Sequence, residues 1–459
     1  VHAAGNAVVL LIAILFLAFY VRKFSPEFSF TSRDVLLLAL PAITALCIGR
    51  FFINISPTVD VMPFAFPAGM LGMLSIILFG TPLALMLVVV TSLTFGLTAT
   101  SIGQGPALGL DYGFVLASLV GGFTGVASLA AMKERRQVLL AGLWVAVANM
   151  ITLLALALIR DPKLINTTNL IACAVNGIGC YVLTLGALPL FETLFGLSTD
   201  VRLMELTSTQ HPLLRMMEEK APGTFQHTLN VAKLAESAAE GVGANFLLVR
   251  AGAYFHDIGK MLHPKYFTEN QATSDERRIH SRLSAYMSTL IVKNHVKEGI
   301  ELAQEHRLPD RVVDFIPQHH GTSLIKYFYA QALEKAEPNE IVLEDEFRYP
   351  GPKPQSIEAA IVMVADSIDA IATAKLSGRT VREEDIQRLV RDTITEKFRD
   401  GQFDECHMTF RDMHLMTEAL VRALLSRYHQ RVDYPLIPQA REIRDITRPG
   451  TSEAIGAER

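Results

Sequence analysis

Of the 13 histidines in the chain, eight fall between His227 and His320, at positions 227, 256, 263, 280, 295, 306, 319 and 320. Five of them sit on apolar helical stripes. His227 lies in line with Val231, Leu234 and Ala238, and His256 follows Leu248 and Gly252 at four-residue steps. His295 follows Met287 and Ile291, while His319 and His320 follow Val312 and Ile316. Asp366 follows Val362 in the same way, and Asp257 adjoins His256. Positions three and four apart share a helix face, so each of these polar groups lies on or beside the stripe its helix must bury. One histidine in such a place is ordinarily a core residue satisfied by a backbone carbonyl. Five histidines and two carboxylates are a different problem, because each unpaired buried polar group costs on the order of a few kcal/mol. They must satisfy one another, and a metal centre does so most economically, since imidazole and carboxylate suit Fe, Mn, Zn and similar ions.

The adjacent pair His256-Asp257, followed by Ile258-Gly259-Lys260, sharpens this reading. Helix neighbours diverge by about 100°, so both reach one centre only at a helix edge, where a carboxylate can bridge two metals. His319-His320 repeats the arrangement. Seven N/O ligands are too many for one tetrahedral ion and suit two ions sharing an aspartate and a water. Two ions roughly 3.5–4 Å apart would acidify that water and clamp a phosphodiester for in-line attack. Lys260 follows Gly259 without a Gly-rich phosphate loop before it. It is assigned to a phosphate oxygen, against the plainer reading of a surface lysine.

The elements that must hold these residues lie in two solvents. The first 197 residues carry 16 charged side chains and the remaining 262 carry 72, in a chain that is 50% hydrophobic with a mean hydropathy of +0.30. Lipid and water explain that contrast better than two soluble domains. Apolar stretches run at about 7–21, 35–53, 61–79, 83–97, 107–132, 138–159 and 170–195. Seven helical spans are expected, the first and fourth lengthening into their flanks, and Gly80-Thr81-Pro82 is the boundary where a re-entrant pair could replace two spans. One set of loops holds Arg22, Lys23, Arg33, Lys133, Arg135 and Arg136; the other holds Arg50, Arg160 and Lys163. The positive-inside rule puts the richer set in the cytoplasm, the N-terminus outside, and everything after about Leu197 in the cytoplasm of a multi-pass cell-membrane protein. Asp60, Asp111 and Glu192 fall near span ends, which argues against a transport pathway. Gly121-Gly122, Gly125 and Asn176-Gly177 suit close helix packing. Cys47, Cys173, Cys180 and Cys406 form no CxxC pair and read as unpaired thiols. The chain starts at Val1 rather than Met and reads as a processed or truncated product.

Beyond Leu197 an amphipathic linker helix is expected over 198–220, ending at Ala221-Pro222-Gly223. The rest is all-α by periodicity: a helical domain over 221–438, with a loose tail at 439–459. Residues 198–459 carry a net charge of −6, so a nucleic-acid polymer is excluded as a partner.

His227, His256-Asp257, His295, His319-His320 and Asp366 resemble the HD phosphohydrolase pattern. Ala221-Pro222-Gly223-Thr224-Phe225-Gln226-His227-Thr228, His319-His320-Gly321-Thr322 and Phe347-Arg348-Tyr349-Pro350-Gly351-Pro352-Lys353-Pro354 are similar to a narrower group, the seven-transmembrane receptor HD family. The resemblance spans essentially the whole chain. It implies a seven-helix transmembrane module and a cytoplasmic HD domain that hydrolyses cyclic di-AMP to pApA, with an extracellular sensory domain preceding them in a longer protein. It further implies a di-iron or di-manganese centre held by His227, His256, Asp257, His295, His319, His320 and Asp366, with Asp257 as the bridge. Membrane lipid is the other expected partner, and a homodimer is compatible with it. Gln226 departs from the family, which usually has a histidine there. Three rivals remain. A cyclic di-GMP phosphodiesterase would carry a Gly-Tyr-Pro signature where this chain has Gly321-Thr322-Ser323-Leu324; a non-enzymatic nucleotide receptor would be expected to have lost ligands; a transporter with a regulatory domain would need intramembrane charge.

Overall fold

The computed structural model describes residues 2–24, 30–55, 64, 66–99, 112–130, 136–271, 273, 276, 279–337, 340–376 and 381–428. Among these the architecture is all-α, with one isolated bridge between Leu324 and Arg348 and no strand. The first half contains α1 (His2–Phe24), α2 (Ser32–Ile55), α3 (Ala68–Phe79), α4 (Thr81–Ala99), α5 (Tyr112–Leu129), α6 (Arg136–Ile159) and α7 (Thr167–Phe195). Of these, α1, α2, α5, α6 and α7 are long and apolar enough to cross a membrane, and α3 and α4 are shorter apolar helices. The chain is a membrane protein.

The short element is α3, where the sequence leads one to expect a full span over 61–79. It has 12 residues, about 18 Å of helix against a hydrocarbon layer of roughly 30 Å. It starts after Pro67 and stops at Gly80, whose φ of 75° suits glycine alone. Its residues from Ala68 to Ile76 are all buried, and it packs among α4, α5 and α7. Small residues permit this: a Cβ on Gly72 would stand 2.2 Å from the Gly122 carbonyl oxygen, and one on Gly125 would stand 2.6 Å from that of Gly69. The irregular backbone ahead of α3 is satisfied from α7, because Asn176 Nδ2 donates to the carbonyls of Phe64 (2.7 Å) and Phe66 (3.1 Å). Asn149 donates in turn to Asn176 (3.0 Å). Glu192, near the end of α7, accepts from the Thr199 hydroxyl. Val1, Asp60, Asp111, Lys133, Arg135 and the tail 439–459 lie outside the described residues.

The second half continues with α8 (Asp200–Leu206), α9 (Pro212–Lys220), α10 (Pro222–Val242), α11 (Phe246–Phe255), α12 (Ala285–Glu305), α13 (Asp310–Val313), α14 (Phe315–Gln318), α15 (Lys326–Lys335), α16 (Ile357–Leu376), α17 (Glu383–Arg399) and α18 (Phe410–Arg427). The single linker helix expected over 198–220 is two helices, α8 and α9. Pro212 explains the break: it lacks an N–H, and it disfavours helical backbone at His211 before it. Neither helix is a loose tether. Leu203 and Leu206 of α8 and Leu213, Leu214 and Met217 of α9 are fully buried in the main apolar core of the second half. Val201, on the same short α8, packs instead with Leu37, Leu74, Leu188, Phe191 and Phe195 of the membrane helices. At the centre of the soluble core lies α16, whose residues 359–366 are all buried, with α10, α11, α14 and α17 packed against it.

Candidate metal centre

Two helices end where the chemistry is needed. Helix α11 stops at Phe255; His256 keeps helical backbone as its C-cap, and Asp257 leaves the helix at φ −112° and ψ 14° before a 3-10 turn over Ile258–Leu262. The adjacent pair therefore meets one centre because the helix terminates there, and not because the centre sits at a helix edge. The pair His319-His320 follows the end of α14 in the same manner. The turn after Asp257 is seated against α12: a Cβ on Gly259 would lie 1.9 Å from the carbonyl oxygen of His295. Glycine at 259 is what brings Asp257 beside His295.

Three histidines are aimed by their own helices. His256 Nδ1 donates to the Ala253 carbonyl (2.7 Å), His295 Nδ1 to Val292 (2.5 Å) and His319 Nδ1 to Ile316 (2.7 Å). With Nδ1 so committed, Nε2 is the nitrogen of each ring that faces inward. These three Nε2 atoms and both oxygens of Asp257 are buried without an aligned hydrogen-bond partner. Asp257 Oδ1 lies 3.4 Å from His295 Nε2 and 3.6 Å from His319 Nε2. Its Oδ2 lies 3.2 Å from His256 Nε2 and 3.8 Å from His227 Nε2. Asp366 completes the ring, with Oδ1 2.9 Å from His227 Nε2 and Oδ2 3.9 Å from His320 Nδ1.

All seven residues singled out in the sequence thus converge. They form two groups of four that share Asp257: Asp257, His295, His319 and His320 in one, and His227, His256, Asp257 and Asp366 in the other, the ligand atoms of each lying within 4.8 Å of one another. Orphaned buried donors and acceptors of imidazole and carboxylate type, converging in this way, fit divalent metal ions. The remaining histidines of the cluster go elsewhere. His263 pairs with Glu298, His280 faces the Tyr266 carbonyl and His306 donates to Leu302.

Electrostatics divides the two groups. Burial resists charging His227, but the Asp366 and Asp369 carboxylates outweigh it and lift its pKa to about 9. His256 is lifted to about 10 against the same burial by Asp257 and Asp366. Burial, with His256 nearby, drives His319 down to about 3, and burial also lowers His295 and His320. Asp257 and Asp366 stay well below the usual carboxylate range although burial alone would raise them; Lys260 and His256 hold down the first, His227 and His256 the second.

Lys260 is no surface lysine. Its Nζ lies 2.7 Å from Asp257 Oδ2 and 3.1 Å from Glu269 Oε1, over the Phe267 ring, with 12% of the side chain exposed. Gln226 is exposed, and its side-chain amide donates to Asn230 Oδ1. Two further neighbours are not marked out by the sequence pattern. Tyr349 stacks on His320 with ring centroids 4.1 Å apart. Asp369 Oδ2 receives His227 Nδ1 at 2.7 Å; its position one helical turn beyond Asp366 is the available signal.

Comparison with known proteins agrees with this arrangement. Residues 1–199 match the family described as 7TM receptor with intracellular HD hydrolase, and residues 224–371 match the HD domain. The chain belongs to the seven-transmembrane receptor HD family. Within it, the chain is 42% identical over 335 residues to the Cyclic-di-AMP phosphodiesterase PgpH of Bacillus subtilis (strain 168), covering 72% of this chain and 46% of that protein. The protein of the same name from Listeria monocytogenes serotype 1/2a (strain 10403S) is 37% identical over 443 residues, covering 94% and 59%. The chain therefore spans about half the length of these curated relatives. The crystal structure of the L. monocytogenes phosphodiesterase PgpH HD domain in complex with Cyclic-di-AMP is 42% identical, covering 49% of this chain and 100% of that one with a TM-score of 0.44.

Proposed function

We propose that this chain is a metal-dependent phosphodiesterase that hydrolyses cyclic di-AMP to pApA at the cytoplasmic face of its membrane, regulated through its multi-pass membrane part. The observation that carries the reading is the pair of four-residue groups sharing Asp257, in a family whose relatives above are named for this substrate. The catalytic unit is proposed to begin at about residue 198, ahead of 221, because α8 and α9 are built into its core.

Two divalent ions, Fe or Mn, would be held by His295, His319 and His320 on one side and His227, His256 and Asp366 on the other, with Asp257 between them. Bound there, they would supply Lewis acidity toward the phosphodiester and acidify a water. The protein's own residues do the rest. Asp257 is kept ionised by Lys260 and offers one oxygen to each group of histidines. Lys260 stays protonated, since Asp257 and Glu269 raise its pKa against burial, and its ammonium is proposed to bind a phosphate oxygen. Tyr349 stacks on His320 and buttresses its ring.

The full chain in detergent, loaded with Mn2+, is expected to cleave cyclic di-AMP faster than cyclic di-GMP, as read by chromatography. Faster cleavage of the guanine compound would overturn the substrate assignment. Metal loading should also be proton-linked on one side of Asp257. His295, His319 and His320 are neutral at pH 7, whereas His227 and His256, lifted to about 9 and about 10, must each give up a proton to ligate. Calorimetry in two buffers of different ionisation enthalpy should show one uptake step that is nearly pH-independent and a second that releases protons, tightening as pH rises toward 10. Equal proton release in both steps would contradict the assignment.

A further inference from the structure

His227 is aimed differently from His256, His295 and His319. His256, His295 and His319 each anchor Nδ1 on a carbonyl three residues back in their own helix. His227 Nδ1 instead meets a side chain 142 positions away, Asp369 Oδ2, at 2.7 Å. Asp369 is 2% exposed, and its other oxygen accepts from Arg427 Nη1 at the end of α18. One buried carboxylate therefore joins α10, α16 and α18, and its two oxygens are divided between the imidazole and the guanidinium. A charge buried to this degree is costly unless both its partners are in place.

We propose that Asp369 and Arg427 are positioning residues for the half of the centre made by His227, His256 and Asp366. Asp369 fixes the proton of His227 on Nδ1 and so turns Nε2 toward Asp257 and Asp366, and Arg427 holds Asp369 in that orientation. An anchoring carboxylate of this kind makes the ligand more basic and rigid, and loss of such a contact weakens metal affinity by about 10–100-fold. The other half, built from His295, His319 and His320, has no contact with this relay and is left intact. The competing role is a plain structural ion pair tying α18 to α16, which would affect stability alone.

This proposal rests on the two-ion reading, so the experiment counts ions before it compares variants. Wild-type full chain, Asp369→Asn and Arg427→Gln, all in detergent, would be loaded with Mn2+, dialysed against a weak chelator and assayed for metal per chain, with thermal melting in parallel. The expected result is about two ions on the wild type and about one on Asp369→Asn. The Mn2+ concentration for half-maximal turnover should rise about 10–100-fold, while turnover at saturating Mn2+ recovers to within a few-fold of wild type. Arg427→Lys should restore most of what Arg427→Gln loses. Two tightly held ions on both Asp369→Asn and Arg427→Gln, with only the melting temperature lowered, would reduce the relay to a structural pair. Equal loss of both ions would overturn its selectivity. Should Asp369→Asn fail to fold, Arg427→Gln decides between the same outcomes, because Arg427 is about one-third exposed. Fewer than about 1.5 ions on the wild type would sink the two-ion reading, and the relay with it.

Discussion

Asp257→Ala is expected to lower turnover of cyclic di-AMP by at least about 10³-fold, a loss of roughly 4 kcal/mol of transition-state stabilisation. Both oxygens of Asp257 face ligands on opposite sides of the centre, so the substitution removes a donor from each group of four. It also strips Lys260 of its 2.7 Å partner; Glu269 still balances the ammonium, and the helices that surround the site are held by an extensive apolar core. Circular dichroism should therefore show the helical content retained while product formation vanishes. Wild type and variant that bind nucleotide equally, with neither cleaving it, would establish a receptor in place of an enzyme.

A second large effect is expected from a substitution that replaces no candidate ligand. In Gly259→Ala the new Cβ would fall 1.9 Å from the His295 carbonyl oxygen and 2.7 Å from the Gly299 backbone nitrogen. Both obstacles are backbone, so neither can swing aside as a side chain would. The turn bearing Asp257 must then lift off α12, carrying the carboxylate away from His295. The strain should cost about 3 kcal/mol, and the displaced carboxylate should cost metal on the His295 side of the centre. Thermal unfolding and metal content of the same preparation would check this; a variant that melts like wild type and keeps its full metal would refute the steric account.

The helical architecture and the convergence of the candidate ligands are both legible in the sequence, for one reason. Charge density separates the two solvents, and the apolar stripes then show which polar residues point into a core. Those stripes mark out His227, His256, His295, His319, His320 and Asp366 among many polar side chains. They pass over Asp369, because a second acid on the stripe of α16 adds nothing to a pattern until the partner on α10 is known. The break at 207–211 is readable as well, since Pro212 sits inside the expected helix, but the apolar periodicity of Val201 through Met217 runs across it. The shortness of α3 is less accessible: apolar residues continue ahead of Pro67, and only the packing of Gly72 on Gly122 shows that the helix is held inside the bundle.

Helix α8 is seven residues long, yet Val201 belongs to the membrane cluster and Leu203 and Leu206 to the soluble one. Mechanically, the junction has no slack. A flexible linker would absorb a small displacement of α7 as a change in its own shape. Here the Cα atoms of Val201 and Leu203 are two residues apart on one rigid turn, so a displacement that moves one must repack the other. Close-packed interiors resist gradual deformation and yield between discrete packings. A displacement at the end of α7 is therefore expected to reach the base of the second-half core as a repacking of α8.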